Sequence, residues 1–253
     1  MSGWHPPRPV HPLVRAARAL RIDPSLIAPT SDLRPLSPAV NDQEQEGSCT
    51  AQSTTKAAEV TSAKEGSRIR LASQWAYAKG RERQGTPLSE DGGSTVENMI
   101  MLLAEEGCPL EQDYPYDAHS WTEDPGDALD AEALQHKALF YYECPTLDTA
   151  KASLCQGFPC AFGFTVFARM MSDDVARSGM VPYPGAGESQ DGGHAVLMMG
   201  HDDNLVIESE RGAVLCLNSW GVFWGLGGYF WLPYRYFYDG LAGDIWTVRK
   251  VAA

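Results

Sequence analysis

The sequence predicts an α+β fold in two lobes, helices first and strands second. Three observations carry this. The run from Cys49 to Lys64 is free of Pro and Gly. Two further helical stretches follow before residue 110. Beyond Ala138, short apolar runs alternate with turn residues, as strands do. With 253 residues, 43% of them hydrophobic and 10% aromatic, the chain can build one large domain or two lobes sharing an interface.

Residues 1 to about 30 read as a leader or short prosegment rich in Pro and Arg, with a short amphipathic helix over Pro12–Leu20. Residues 31–253 read as one domain, mainly helical over 31–137 and mainly β over 138–253. Asp32 to Val40 reads as an approach strand. Ser48 is placed to cap the helix that starts at Cys49, and Gly66 to terminate it. Ser73–Arg83 and Val96–Glu105 read as helices, the latter capped by Ser94 or Thr95 and stopped by Gly107. Ala128–Lys137 is helical in composition, and Tyr114-Pro115-Tyr116-Asp117 is a turn. The second half reads as strand Ala138–Cys144, helix Thr146–Cys155 and strand Cys160–Phe167. Strand segments follow over His194–Gly200, Asn204–Ser209, Ala213–Asn218 and Gly228–Leu232.

Charge narrows the function. A formal net charge of −13 argues against nucleic acid and anionic membranes as partners, since phosphates need clustered Lys and Arg. No secretory signal or membrane span is evident, so a cytoplasmic location is the expectation, with non-classical export left open. The six cysteines show no C-x-x-C spacing. Neither a zinc site nor any cofactor is expected, and free thiols in a reducing compartment are. Cys144, Cys160 and Cys216 lie in apolar strand contexts and read as buried thiols.

Cys49 is different, because a cysteine at a helix start gains thiolate character from first-turn N–H groups and the helix dipole. Such a nucleophile needs a base. Among six histidines, His194 in Gly192-Gly193-His194-Ala195-Val196 sits at the mouth of an apolar strand, and His201 is a minor rival. Asn218, in Asn218-Ser219-Trp220-Gly221, can fix the imidazole's rotation and tautomer, with Trp220 covering the pair.

These residues together resemble the papain family of cysteine peptidases. His194 lies 145 residues after Cys49, and Asn218 lies 24 after His194; the first spacing falls within the family's roughly 130–150. Gln43, Gly47-Ser48-Cys49, Glu90-Asp91-Gly92-Gly93, Tyr114-Pro115-Tyr116 and Trp224-Gly225 extend the match, in order, over about Asp32 to Val248. Glu46 stands where the papain-type enzymes carry a disulfide cysteine, and Thr50 where they carry Trp. That version looks like a bacterial branch of the family.

The resemblance implies a two-lobe papain-like fold with a β-barrel-like second lobe and the active-site cleft between the lobes. It implies a cysteine-type endopeptidase acting on protein or peptide substrates through an acyl-enzyme. Cys49 would be the nucleophile, His194 the base and acid, Asn218 the orienting group, and the Gln43 side chain with the Cys49 N–H the oxyanion hole. Gly92, Gly93, Ser94, Gly193 and Trp220 would meet the substrate. Acyl transfer on the same site (transpeptidase, ligase or deamidase) and an inactive peptide-binding module are the alternatives. Any self-inhibition is expected from a short leader: residues 1 to about 30 either lie across part of the cleft or the β lobe as a lid, or form a disordered leader.

Overall fold

A computed structural model describes residues 3–7, 19–21 and 23–252. The first described helix, α1 (Cys49–Lys64), is buried from Cys49 through Ser62. Its apolar residues form no single stripe, because neighbours cover it on every side. Small residues let those neighbours approach. Thr54 and Thr55 return their hydroxyls to the helix's own carbonyls at 2.8 Å, and Thr61 donates to the Val248 carbonyl at 2.9 Å. Lys56 and Glu59 pair inside at 2.8 Å, and Glu59 also takes the Leu71 N–H; a buried pair survives only with such added partners.

Two helices pack beside it, α2 (Ser73–Gln84) and α3 (Val96–Glu105). Thr95 caps α3 by accepting from Asn98 N at 2.9 Å, as predicted. The predicted helix after residue 128 shortens to α4 (Asp130–Ala133) with a 3₁₀ turn Leu134–His136. Gly107 has φ +81°, and a Cβ there would overlap the Ala133 carbonyl. Gly107→Ala is therefore expected to destabilise the protein by more than about 1 kcal/mol, read as a lowered urea midpoint at constant slope.

The sheet has seven strands, all antiparallel: β1 (Thr30–Asp32), β2 (Ala138–Glu143), β3 (Cys160–Phe167), β4 (Gln190–Ile207), β5 (Glu210–Leu217), β6 (Tyr229–Pro233) and β7 (Ala242–Val251). Their order is β2-β7-β3-β4-β5-β6, with β1 on β4. The sheet is open, with β2 and β6 at its ends, so the barrel-like expectation is corrected. The approach strand is also corrected: only Thr30–Asp32 pairs, and Arg34–Leu36 turns as a 3₁₀ helix because Pro35 fixes φ there. The two strand segments predicted around residue 200 are one long strand. The remaining helices are α5 (Leu147–Cys155), held by a Thr146/Thr149 capping box, then α6 (Asp173–Ser178) and α7 (Arg235–Tyr238). Strand β7 and helices α6 and α7 have no sequence prediction behind them. Most of the predicted Pro12–Leu20 helix lies outside the described residues.

Register places the site. Phe164 of β3 faces His194 of β4, and β5 ends at Leu217, one residue before Asn218. Cys49, at the head of α1, therefore lies against the mouth of the β4–β5 pair. No described helix is long and apolar enough to cross a membrane.

Candidate active site

His194 is 2% exposed and holds Asn218 Oδ1 at 2.8 Å through Nε2. The Ser219 N–H donates to the same Oδ1 at 2.9 Å. That second donor identifies which end of the amide is oxygen, so Nε2 must carry a hydrogen. In the neutral ring, Nδ1 is then the basic nitrogen. Trp220 stacks on the imidazole with centroids 4.7 Å apart at 24°, and Phe164 meets it edge-on at 5.9 Å. Trp224 in turn braces Trp220 at 4.9 Å. The stacked Trp220 and the edge-on Phe164 together restrict the ring's rotation. Trp220 covers the His–Asn pair, as expected of it.

Cys49 begins α1 and is 1% exposed. Burial pushes its thiol up to about 12, against backbone N–H groups of Ala195 and Thr50 that favour the anion. Burial also lowers His194 to about 4, against the Asn218 bond, which favours the charged ring. Both shifts act against the charged forms: in this closed form desolvation opposes the thiolate that the helix start favours. The Ser48 cap is corrected: Ser48 occupies the N-cap position without a side-chain cap bond. Its hydroxyl pairs with Tyr116 at 3.2 Å and with the Gln52 amide at 3.4 Å.

Gln43 is buried beside Cys49. Its amide nitrogen donates to the Glu46 carbonyl at 2.6 Å, and its Oε1 accepts from Ser219 Oγ at 2.5 Å. One N–H of that amide is committed and one remains for an oxyanion. Glu46 supports the loop from beneath: its carboxyl meets the Tyr116 hydroxyl and accepts from Gln74 Nε2 at 3.1 Å. The Tyr116 hydroxyl also reaches the Gln43 carbonyl at 2.9 Å. Burial raises Glu46 to about 7, against those two hydrogen bonds. Asp91 ties the other side, accepting Gly47 N–H at 2.9 Å and the Tyr77 hydroxyl.

Residues 3–5 occupy the cleft. The Ser94 N–H donates to the Gly3 carbonyl at 2.9 Å, and the His5 N–H to the Ser94 carbonyl at 2.9 Å, a parallel pairing centred on Trp4. A Cβ on Gly3 would sit 2.7 Å from Cys49 Sγ, so bare backbone passes over the thiol. His5 Nε2 donates to the Gly92 carbonyl at 2.6 Å. Gly93, at φ +63°, lies against Gly3, and Gly193 lies against Trp4, whose Cε3 would be 2.7 Å from an added Cβ. Gly92, Gly93 and Gly193 therefore line the occupied cleft, as Ser94 does with its backbone. The Ser94 hydroxyl instead points to Gln84 at 3.0 Å and takes the Asn98 amide, so it shapes no pocket. Arg21 is exposed; Arg8, Arg15 and Arg18, also read as part of a basic arm, lie outside the described residues.

His201 is no rival base: it is buried beside β1, with Nε2 donating to the Ala28 carbonyl at 2.9 Å. Cys144, Cys160 and Cys216 are buried free thiols, and the first two sulfurs are 3.9 Å apart. Among the described residues no cluster of three or more His, Cys, Asp or Glu is arranged to hold a metal. Sequence reasoning missed Trp4 and Asp244, which stand in no recognisable motif; Gln74 and Tyr77 lie in residues 71–77, a stretch that fits the family resemblance, but their anchoring roles were not read from it. Tyr116 was found as a turn, and its anchoring role was not.

Residues 28–237 match the family described as papain family cysteine protease. An uncharacterised peptidase C1-like protein, L477, of Acanthamoeba polyphaga mimivirus is 31% identical over 246 residues, spanning 91% of this chain and 77% of that one. Xylellain, a cysteine protease from Xylella fastidiosa, superposes with a TM-score of 0.85 at 26% identity, covering 98% of this chain and 96% of its own. The fold is shared with procathepsin B S9 of Trypanosoma congolense, at TM-score 0.76 and 14% identity, over 100% of this chain and 87% of that one.

Proposed function

The chain belongs to the papain family of cysteine proteases, and we propose that it is a cysteine-type endopeptidase whose nucleophile is Cys49. The observation that carries this reading is the tautomer of His194. With Nε2–H given to Asn218, Nδ1 is the nitrogen that takes the thiol proton. Cys49 then attacks the scissile carbonyl. The second N–H of the Gln43 amide and the Cys49 N–H stabilise the oxyanion, a contribution of about 3 kcal/mol for one donor. The C–N bond breaks as Nδ1 returns its proton to the leaving amine. Water, deprotonated by the same nitrogen, releases the acid product and restores the thiol. Asn218 holds the ring and Trp220 keeps bulk water from the His–Asn bond.

Residues 3–7 act in this reading as a lid over the thiol, consistent with Gly3 above Cys49 and with the burial that disfavours both charged forms beneath it. When the lid lifts, water and substrate reach the thiol and the penalty on the ion pair falls. The division that goes with it is a segment 1–30, a mainly helical lobe 31–137 and a mainly β lobe 138–253, with the cleft between the lobes.

The test is product mass spectrometry on a peptide substrate, with and without a primary amine. Free acid as the main product in both arms supports hydrolysis; an amine adduct as the main product overturns it in favour of transfer. Asn218→Ala is expected to lower kcat about tenfold or more with KM little changed, because tautomer and ring plane are lost while substrate contacts stay. Steady-state kinetics check this.

A further inference from the structure

Among the residues described at 3–7, Trp4 packs its side chain against the core, and the floor of the shelf on which it lies is made of two glycines. Its indole lies across Gly163 of β3 and Gly193 of β4, and a Cβ at Gly163 would overlap Cε2 and Nε1. Neither glycine is needed for the strand itself, where it weakens pairing and marks close approach by another group. At the end of the shelf the indole Nε1–H donates to Asp244 Oδ2 at 3.3 Å.

Asp244 is held there rigidly. It is 8% exposed and accepts from Val96 N at 2.7 Å, Glu97 N at 3.3 Å and Trp246 Nε1 at 2.9 Å. Its backbone has φ +53°, a conformation that costs a non-glycine residue energy and persists at sites that use it. Three fixed donors aim the carboxylate, and its remaining lone pair faces the shelf. A flat bicyclic ring with an N–H at its edge is what fits a bare floor ending in an acceptor.

We propose that this shelf selects tryptophan in the substrate, at the residue next to the one over Cys49, with Asp244 reading the indole N–H. This rests on the peptidase reading of the cleft. Tryptophan fills the floor, phenylalanine leaves Asp244 without its partner, and lysine or leucine leaves the floor half covered. A site built around a hydrogen bond discriminates strongly against analogues that lack it.

The experiment uses the full chain carrying Trp4→Ala, which vacates the shelf. Peptides identical except for Trp, Phe, Leu, Lys, Ala or benzothienylalanine at that position are compared by kcat/KM. Tryptophan is expected to lead alanine by about a hundredfold and the sulfur isostere, which lacks the N–H, by about tenfold. Adding Gly163→Ala, which puts a methyl where the indole lies, should erase the tryptophan lead over the alanine peptide. Equal rates across the series would overturn the proposal and leave the peptidase reading intact. Should no peptide be cleaved, the peptidase reading fails and the pocket is decided by calorimetry. Gly-Trp-His-Pro-Pro should bind the Trp4→Ala chain at least tenfold more tightly than Gly-Ala-His-Pro-Pro; equal affinity overturns the proposal.

Discussion

Cys49→Ala is expected to lower kcat/KM on a peptide substrate by at least about 10⁴-fold, with no loss of folded stability. The size follows from the mechanism: without sulfur there is no acyl-enzyme, and what remains is oxyanion stabilisation and positioning. Stability should hold because the sulfur gives way to a smaller group at a helix start beneath bare Gly3 backbone, and what is lost is only the weak acceptance by sulfur of the Ala195 and Thr50 N–H groups. The same variant should lose iodoacetamide labelling at residue 49 while the other five thiols keep their slower labelling. Of those, Cys108, Cys144, Cys160 and Cys216 are buried. The measurements are steady-state kinetics, peptide mapping and thermal unfolding. Peptide hydrolysis by Cys49→Ala within tenfold of the native rate would refute Cys49 as nucleophile.

Glu46→Ala carries the second large effect. Glu46 makes no contact with the reacting atoms; its side chain supports Tyr116 and Gln74, and its carbonyl holds the Gln43 amide. Removing the carboxyl strips a partner from two buried groups, which costs about 1–3 kcal/mol each. The loop carrying Gln43 then loosens, and kcat should fall by about 10²-fold, the scale of one misplaced oxyanion donor. Glu46→Gln keeps the hydrogen bonds and should restore most of kcat.

The conservative variant also isolates a pH effect. Glu46 is raised from 4.5 to about 7, first because it is buried. Between those values the native state keeps a proton the unfolded chain has lost. Rising pH through that window therefore favours unfolding, by up to about 3 kcal/mol. His194 acts with the opposite sign: its lowered value means the unfolded chain holds the extra proton between about 4 and 6.5, so rising pH stabilises. The two nearly cancel in the native protein. The difference in unfolding free energy between native protein and Glu46→Gln should nonetheless fall from pH 4.5 to 7 and be flat below 4.5. A difference that does not change with pH would show that Glu46 is not the titrating group.

The chemistry of the site was legible from the sequence because it rests on local signals. A helix without Pro or Gly headed by Cys49, a glycine-flanked His194 and a strand-ending Asn218 each identify an element and a residue type at once. Less local matters were not legible. Ser48 has the composition of a cap, yet its hydroxyl went to Tyr116, 68 positions away. The lowered pKa expected of Cys49 depends on solvent, and no sequence pattern reveals that Gly3 covers it. No element was predicted over Leu241-Ala242-Gly243-Asp244, where β7 begins between β2 and β3, so Asp244 escaped notice. Trp4 stands in a Pro- and His-rich run without periodicity, where an aromatic has no predictable partner.

The pairing of residues 3–7 with Ser94 has a consequence for how the protein responds to concentration. A tethered occupant of the cleft, as the proposed lid is, competes at an effective molarity set by the chain that joins it. Diluting the protein does not release it. Substrate must outcompete it site by site, so the apparent Michaelis constant is multiplied by one plus the ratio of effective molarity to the arm's own dissociation constant. Weakening the arm by one hydrogen bond rescales that constant and leaves the turnover number alone.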